Sequence, residues 1–319
     1  MITRWKRELS VAAALGVLLL VLAVAAPRFY TSGELRSIAV RSAPALVAAT
    51  GLALVVLARH IDISIGSAVS ICGVAAGLLA KAGVPAPLLP LLVAGAGAAL
   101  GAVNGLLVAV LGLPSIVATL ATLVVFQESL RWIRQGEFVK GIPDGFQWFG
   151  LGQSGGELLL VVAAVAVFAA FAWGLRHLAA GRAVYAVGSD AEAARLAGIR
   201  PKRVVFSVFL LAGALAGLAA SLDASRFPLV DPNMGKGLEL QLVAAVVVGG
   251  VAVTGGRGRL AGVLLGVLLL LSIGSALLFL GVPAQWEKAA QGAIILVAAS
   301  SDAFNLRIRR HARPSLVPA

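Results

Sequence analysis

The chain has 319 residues, of which 60% are hydrophobic and 13% charged, with mean hydropathy +0.99 and net charge +12. Soluble domains carry roughly 25% charged residues, so this composition excludes a soluble globular protein and indicates an integral membrane protein. The basic excess fits cytoplasmic loops, and no interleaving of aromatic and basic residues suggests a nucleic-acid partner.

A helix that crosses the hydrocarbon core needs about 20 mostly apolar residues. Ten segments meet or approach that length: 10–26, 42–58, 63–81, 87–111, 115–133, 157–175, 204–222, 239–253, 260–280 and 286–303. They predict an all-α membrane protein of about ten transmembrane helices in one bundle, a single domain over 1–319. The N-terminus MITRWKRELS is basic ahead of Val11–Ala26, as in a signal peptide, but the many later spans favour a retained first helix. Segments 63–81 and 239–253 are short or marked by polar residues and are expected to be broken or re-entrant. With the N-terminus inside, 16 Lys and Arg residues fall inside and 10 outside. Both termini (1–9 and the basic tail 304–319) are then cytoplasmic, as is the loop 177–203, while the loop 135–156 faces outward.

Glycines four apart make smooth helix stripes where backbones touch. Gly97, Gly101 and Gly105 form one such stripe, Gly213 and Gly217 a second, and Gly258, Gly262 and Gly266 a third. An internal repeat is also visible. Leu111-Gly-Leu-Pro114 recurs as Leu280-Gly-Val-Pro283, an offset of 169 residues. At the same offset Gly97 meets Gly266, Gly105 meets Gly274, and Asp62 and Gly66 meet Asp231 and Gly235. The two copies fall on opposite sides of the expected topology, the pattern of an inverted repeat.

No catalytic or metal-binding constellation is present in the sequence. His60, His177 and His311 are far apart and read as solvated flank residues, and Cys72 is the single cysteine. Gly235-Lys236-Gly237 lacks the upstream glycine and following Ser/Thr of a P-loop, so the chain is not expected to hydrolyse ATP or to carry a cofactor. The acidic residues Asp62, Glu128, Asp190, Glu192, Asp223, Glu239 and Asp302 sit at span ends. Glu128 can pair with Arg131 and Asp223 with Arg226 one turn on. An ion-coupled secondary transporter of a small polar solute, which usually keeps a carboxylate deep in the bilayer, is the alternative class.

The polar island Gly181–Arg203 interrupts the apolar chain. Within it, Ser189-Asp190-Ala191-Glu192 fits a capping box with Ser189 as the N-cap. Gly198 supplies a left-handed stop and Pro201 blocks continuation. The helix between them is slim, with Leu196 as its one large apolar residue. Such a helix either enters a groove on another protein or lies on the membrane surface.

These residues carry a resemblance. Glu192-Ala193-Ala194 followed by Gly198 resembles the E-A-A-x-x-x-G of ABC importer permeases. His60-Ile-Asp62-Ile-Ser64-Ile-Gly66-Ser67 resembles the G-I-D-L-S-V-G-S of ribose-type sugar permeases, and Pro114-Ser-Ile-Val-Ala118-Thr119-Leu120 their P-x-F-I-A-T-L-G. Gly181-Arg-x-x-Tyr185-Ala186-Val-Gly188, Ala193-Ala-Arg195-Leu196-x-Gly198-Ile199, Ala244-Ala245-Val-Val-Val-Gly249-Gly250 and Gly255-Gly256-Arg257-Gly258 resemble later blocks in the same order. Gly136-Glu-Phe-Val-Lys-Gly141-Ile-Pro143 and Val282-Pro283-Ala284-Gln285-Trp286 are similar to stretches of the rhamnose and autoinducer-2 permeases. The chain departs from the pattern at His60, usually glycine, at Gln127-Glu128, often Arg-Gly, and at Ser189-Asp190, often Gly-Asn.

The resemblance implies a permease subunit of a bacterial ABC importer in the inner membrane, carrying rhamnose, another monosaccharide or autoinducer-2. It implies a second permease, identical or homologous, two ABC ATPase subunits that hold ATP and Mg, and a periplasmic solute-binding protein. It makes Ser189, Asp190, Glu192, Ala193, Ala194, Arg195, Leu196 and Gly198 the ATPase-coupling helix. Asp62, Ser64, Gly66 and Ser67 either cap a broken helix at an inner gate or form a simple N-cap, and Asn104, Thr119 and Thr122 either line the path or bond helix to helix. Gly249, Gly250, Gly255 and Gly256 are further gate candidates. The outward loop, with Phe138, Phe146, Trp148 and Phe149, is either a membrane-interface anchor or a docking ledge, with Asp144, Trp148 and Asp231 as binding-protein contacts.

Overall fold

The computed structural model describes residues 6–283, 285–289 and 291–293. The rest of the tenth expected segment, residues 1–5, His311 and the tail 304–319 lie outside the described residues. Among residues 6–283 the α-helices are α1 (Lys6–Ala25), α2 (Ser32–Leu57), α3 (Ile65–Lys81), α4 (Leu89–Gly105), α5 (Ser115–Arg134), α6 (Gly152–His177), α7 (Ala179–Ser189), α8 (Ala191–Leu196), α9 (Pro201–Ala224), α10 (Leu238–Val248) and α11 (Leu260–Phe279). A π-helical turn, Leu106–Val110, extends α4. Among the described residues the only β pairing is one antiparallel bridge, Val139 to Val230.

Among the described residues, seven helical stretches are long and apolar enough to cross a membrane: those of α1, α2, α4 with its flanks, α5, α6, α9 and α11. The chain is therefore a multi-pass membrane protein. α3 and α10, with 17 and 11 residues, are shorter. At 1.5 Å per residue α10 covers only about 16 Å of a core about 30 Å thick. Several expected boundaries move. The segment expected at 42–58 begins at Ser32, where Thr31 accepts a hydrogen bond from the Glu34 amide, and the one expected at 239–253 ends at Val248. The loop 177–203 holds a second helix, α7, ahead of the expected one, α8.

Lipid tails are as apolar as leucine, so close packing and interhelical hydrogen bonds hold such a bundle together. α2 is its centre, buried throughout 42–57 against α6, α9, α10 and α11. The two expected glycine stripes on α4 and α9 pack against each other. A β-carbon on Gly97 would meet Gly217 N at 2.9 Å, and one on Gly101 would meet Gly213 Cα at 3.0 Å. Gly262 and Gly266 pack in the same way on Gly249 and Ala245 of α10. Gly258 is a correction: it lies before α11, at φ +139°, and contributes to no helix stripe.

The 169-residue offset carries α2 onto α9, α3 onto α10 and α4 onto α11, with starts and ends in register to within a few residues. Contacts exchange with it: α4 packs on α9 as α11 packs on α2, and α3 packs on α9 as α10 packs on α2. Gly112 and Gly281, equivalent residues, both take a left-handed conformation, at φ +75° and +71°. Asp62 and Asp231 both accept a hydrogen bond from the amide two residues on, at 2.9 and 2.8 Å.

Loops expected on the same side of the membrane meet in space. Leu57, Gly188, Ser189, Gly255 and Gly256 converge at one end, where Gly256 N donates to Leu57 O at 2.8 Å. At the other end the loop 135–156 joins the loop after α9. Trp148 N donates to Ser225 O at 2.7 Å, and Gln147 to Arg226 O at 3.3 Å.

Candidate functional site

Two features stand out from the packed bundle. The first is α8. Its N-cap is Asp190, in extended backbone, whose Oδ1 accepts from the amides of Glu192 at 2.9 Å and Ala193 at 3.0 Å. The expected cap at Ser189 is corrected: Ser189 is the last residue of α7, and a residue inside that helix is not free to cap the next. Glu192 does not reach back either. It pairs with Arg195, one turn on, which holds its carboxyl below the usual carboxylate range and pushes the guanidinium up. Gly198 ends the helix at φ +84°, a conformation that glycine reaches without the β-carbon penalty. Pro201 is the first residue of α9, where its missing N–H costs nothing. Ala194 faces inward, while Leu196, 77% exposed, points away from the bundle.

α8 stands on a rigid base. A β-carbon on Gly188 would overlap Leu57 O and lie 2.7 Å from Gly256 N. Tyr185 donates to Gly258 O at 2.9 Å, and burial pushes its phenol up. In the loop after α10, Gly255 and Gly256 thus lock the α7–α8 corner to the end of α2 by backbone contacts, while Gly249 packs on Gly262 of α11 and Gly250 takes a left-handed turn at φ +88°. Nearby, His60 is not a solvated flank residue. It is half-buried, its ring 6.0 Å from that of Phe209, and burial with Arg59 holds its pKa below the usual value. His177 is exposed and stacks on Trp173.

The second feature is a buried polar network at the start of α3. Six residues singled out in the sequence meet here, from α3, α4, α5 and the turn before α3. Asp62 Oδ1 accepts from Ser64 N at 2.9 Å and Ser64 Oγ at 2.6 Å, and Asn104 lies at 3.4 Å. Asn104 donates to Ser64 Oγ at 2.7 Å and accepts from Thr122 at 2.7 Å. Thr119 accepts from Ile63 N at 3.2 Å. Ser64 itself makes no capping bond, so the turn is fixed by Asp62. Ser67 donates to Ser64 O at 2.8 Å. Gly66 faces Gly235, its equivalent in the repeat: a β-carbon on either would overlap the carbonyl oxygen of the other. The short helices α3 and α10 therefore begin at one shared point.

At the opposite end the docking candidates separate. Asp144 is exposed. Trp148 is half-buried against Gly156, and Phe146 is buried, so neither is a free aromatic platform. Asp231 is engaged in its own turn with Asn233. The pairs Glu128–Arg131 and Asp223–Arg226 form at 3.5 and 2.6 Å. Sequence reasoning missed the buried Glu157, which pairs with Arg36 and accepts from Gln153 at 2.9 Å. Its position six residues into an apolar helix was the available signal.

The model of the family described as branched-chain amino acid transport system / permease component matches residues 35–299. The chain belongs to this permease family. The permease is 35% identical over 321 residues to the autoinducer 2 import system permease protein LsrC of Escherichia coli (strain K12 / DH10B), covering 95% of this chain and 92% of that one. It is 34% identical to the LsrC of Enterobacter sp. (strain 638), over 96% of this chain and 90% of the relative. It is 32% identical to the ribose import permease protein RbsC of Escherichia coli (strain K12), over 93% and 94%. No solved structure matches it. The permease is a ribose-type ABC importer permease, as its sequence motifs imply.

Proposed function

We propose that the permease is the membrane-spanning subunit of a binding-protein-dependent importer in the bacterial inner membrane. It carries a small sugar-like solute, of the kind represented by autoinducer-2, ribose or rhamnose. The observation that carries this reading is the similarity to both autoinducer-2 and ribose import permeases over more than nine-tenths of the chain. The bundle has about ten spans with both termini cytoplasmic, and its two repeat halves are related by inversion, which the exchange of helix contacts supports.

ATP and Mg bind to separate ATPase subunits, and α8 is the coupling helix. Its charged ends stay in water while Leu196 and the alanine face enter a groove on the ATPase. Closure of the ATPase dimer then pulls on α8. The backbone contacts of Gly188 with Leu57 and Gly256 leave that motion little slack before it reaches α2 and the α10–α11 loop. A second permease, identical or homologous, completes the path, and lipid surrounds the pair. A periplasmic binding protein docks near Asp144 and Asp231. Asp62, Ser64, Ser67, Asn104, Thr119 and Thr122 form the inner gate, with Gly66, Gly249, Gly250, Gly255 and Gly256 as its pivots.

The test is reconstitution with the neighbouring ATPase and binding protein in proteoliposomes. Solute uptake is expected to require ATP and to survive a proton ionophore. Leu196→Asp is expected to insert normally and to lose solute-stimulated ATP hydrolysis by about tenfold or more, a barrier change of ~1.4 kcal/mol. Undiminished hydrolysis overturns the α8 assignment. The buried Asp62 is what an ion-coupled carrier would use. Uptake that needs a proton or sodium gradient and no ATP would establish that reading instead.

A further inference from the structure

Between α3, α5 and the loop leading into α10 lies a cavity of about 300 Å³. At ~30 Å³ of liquid volume per water, it has room for about ten waters, or for a solute with about that many non-hydrogen atoms. The cavity continues the Asp62 network along the same helix faces. Ser64, Ser67 and Ser70 follow at three-residue spacing on α3, and Thr119, Leu123 and Gln127 at four-residue spacing on α5. The first member of each set belongs to the network, and the others line the cavity.

The wall is polar but balanced in charge. Glu128 and Arg131 pair with each other, and Glu239 accepts from Gly237 N at 3.1 Å. With Lys236 the lining holds two acids and two bases, which gives no field that selects an anion. What remains is a set of neutral groups. Ser70 Oγ accepts from Gly235 N at 3.0 Å and keeps its own proton to donate. Asn233 Nδ2 donates only one long bond, 3.3 Å, to Asp231. The Gln127 amide bonds to no other described residue. The cavity shares Glu128, Arg131, Gly136 and Asn233 with a shallower recess of about 430 Å³ beside Trp132. Elsewhere the outer face of α5 is apolar: Ile116, Val117, Leu120, Val124 and Val125 are exposed. Charges on a spanning helix turn toward protein or water rather than lipid, so the recess marks the watered side of α5.

We infer that this cavity is a binding station for an uncharged, polyhydroxylated solute, entered from the recess beside Trp132, with Ser70, Gln127 and Asn233 as its hydroxyl partners. The inference rests on the importer reading and adds a site to it. The buried Cys72 leaves the wild type without an accessible thiol among the described residues, so Gln127→Cys introduces one. In proteoliposomes holding the full importer, a charged, membrane-impermeant maleimide is expected to label Gln127→Cys about tenfold faster than wild type, because thiol reactivity follows access. D-ribose and L-rhamnose are the neutral probes and ribose 5-phosphate the anionic one. At least one neutral sugar should slow labelling by about threefold or more, as occupancy of the site excludes the reagent, and the phosphate ester should not. Asn233→Cys, across the cavity, is expected to behave alike and serves if Gln127→Cys does not fold. No labelling at either position, labelling that neither sugar slows, or protection by the phosphate ester alone overturns the inference. ATP-driven uptake is followed on the same vesicles. Uptake without protection removes the cavity and keeps the importer; protection without ATP-driven uptake removes the importer and keeps the cavity.

Discussion

Replacing Asn104 by alanine takes the hub out of the Asp62 network. The substitution removes the bond to Ser64 Oγ and the bond from Thr122, both 2.7 Å, and the long 3.4 Å contact with Asp62. What stays behind sets the magnitude. Thr122 still reaches Thr119 O at 3.2 Å, and Asp62 Oδ1 keeps Ser64 N and Oγ at 2.9 and 2.6 Å. None of these groups is orphaned, so the penalty of ~1–3 kcal/mol for each buried unsatisfied group does not apply. The loss is two interhelical hydrogen bonds, which in membrane proteins average about 0.6 and reach about 1.7 kcal/mol each. The total is about 1–3 kcal/mol, which at roughly 2–4 °C per kcal/mol lowers the melting midpoint by about 2–12 °C. Cys72 is fully buried and supplies the assay, since a fluorogenic maleimide reports its exposure as the detergent-solubilised protein is heated. A midpoint within about 1 °C of wild type would refute the view that this network ties α3 to α4 and α5, because even one average bond predicts more.

Gly213→Leu would bring a β-carbon 2.8 Å from Gly101 Cα, forcing α4 and α9 apart. Overpacking of this kind costs about 1–3 kcal/mol or more, and size-exclusion chromatography should show loss of the monodisperse peak. Gly95→Leu, also on α4 but facing open space, should leave that peak unchanged. Asp190→Ala removes the α8 cap at a cost of about 1 kcal/mol, so amide exchange at Glu192 and Ala193 should quicken about fivefold, the population change that energy corresponds to. Ser189→Ala should leave it unchanged; the reverse pattern would return the cap to Ser189.

Much of the fold was legible because its cues are local. Apolar runs gave the long helices, and glycines four apart on α4 and α9 marked the surfaces that meet. Gly198 and its left-handed turn were readable for the same reason. The cap of α8 was misplaced by one residue because Ser189 and Asp190 both carry a capping oxygen. Only the length of α7, which holds Ser189 in helical backbone, decides between them. The inner network was legible as a list of polar residues but not as a set. Asp62 and Asn104 are 42 residues apart, and only the packing of α3 against α4 and α5 joins them. The cavity was less visible still. Gln127 and Glu128 stood out as departures from a family pattern, but Asn233 and Lys236 sit in a turn with no periodicity to mark them.

Gly66 and Gly235 approach each other backbone to backbone, near the point from which α3 and α10 both depart. Ser70 Oγ accepts from Gly235 N at 3.0 Å and the Glu239 carboxylate lies beside Gly66, so the joint is held by side chains as well as by backbone contact. It also has no tolerance. Any larger residue at either position intrudes on the opposite half of the repeat as well as its own. The joint is therefore a close fit between the two halves of the repeat, unable to accept a single added methyl group.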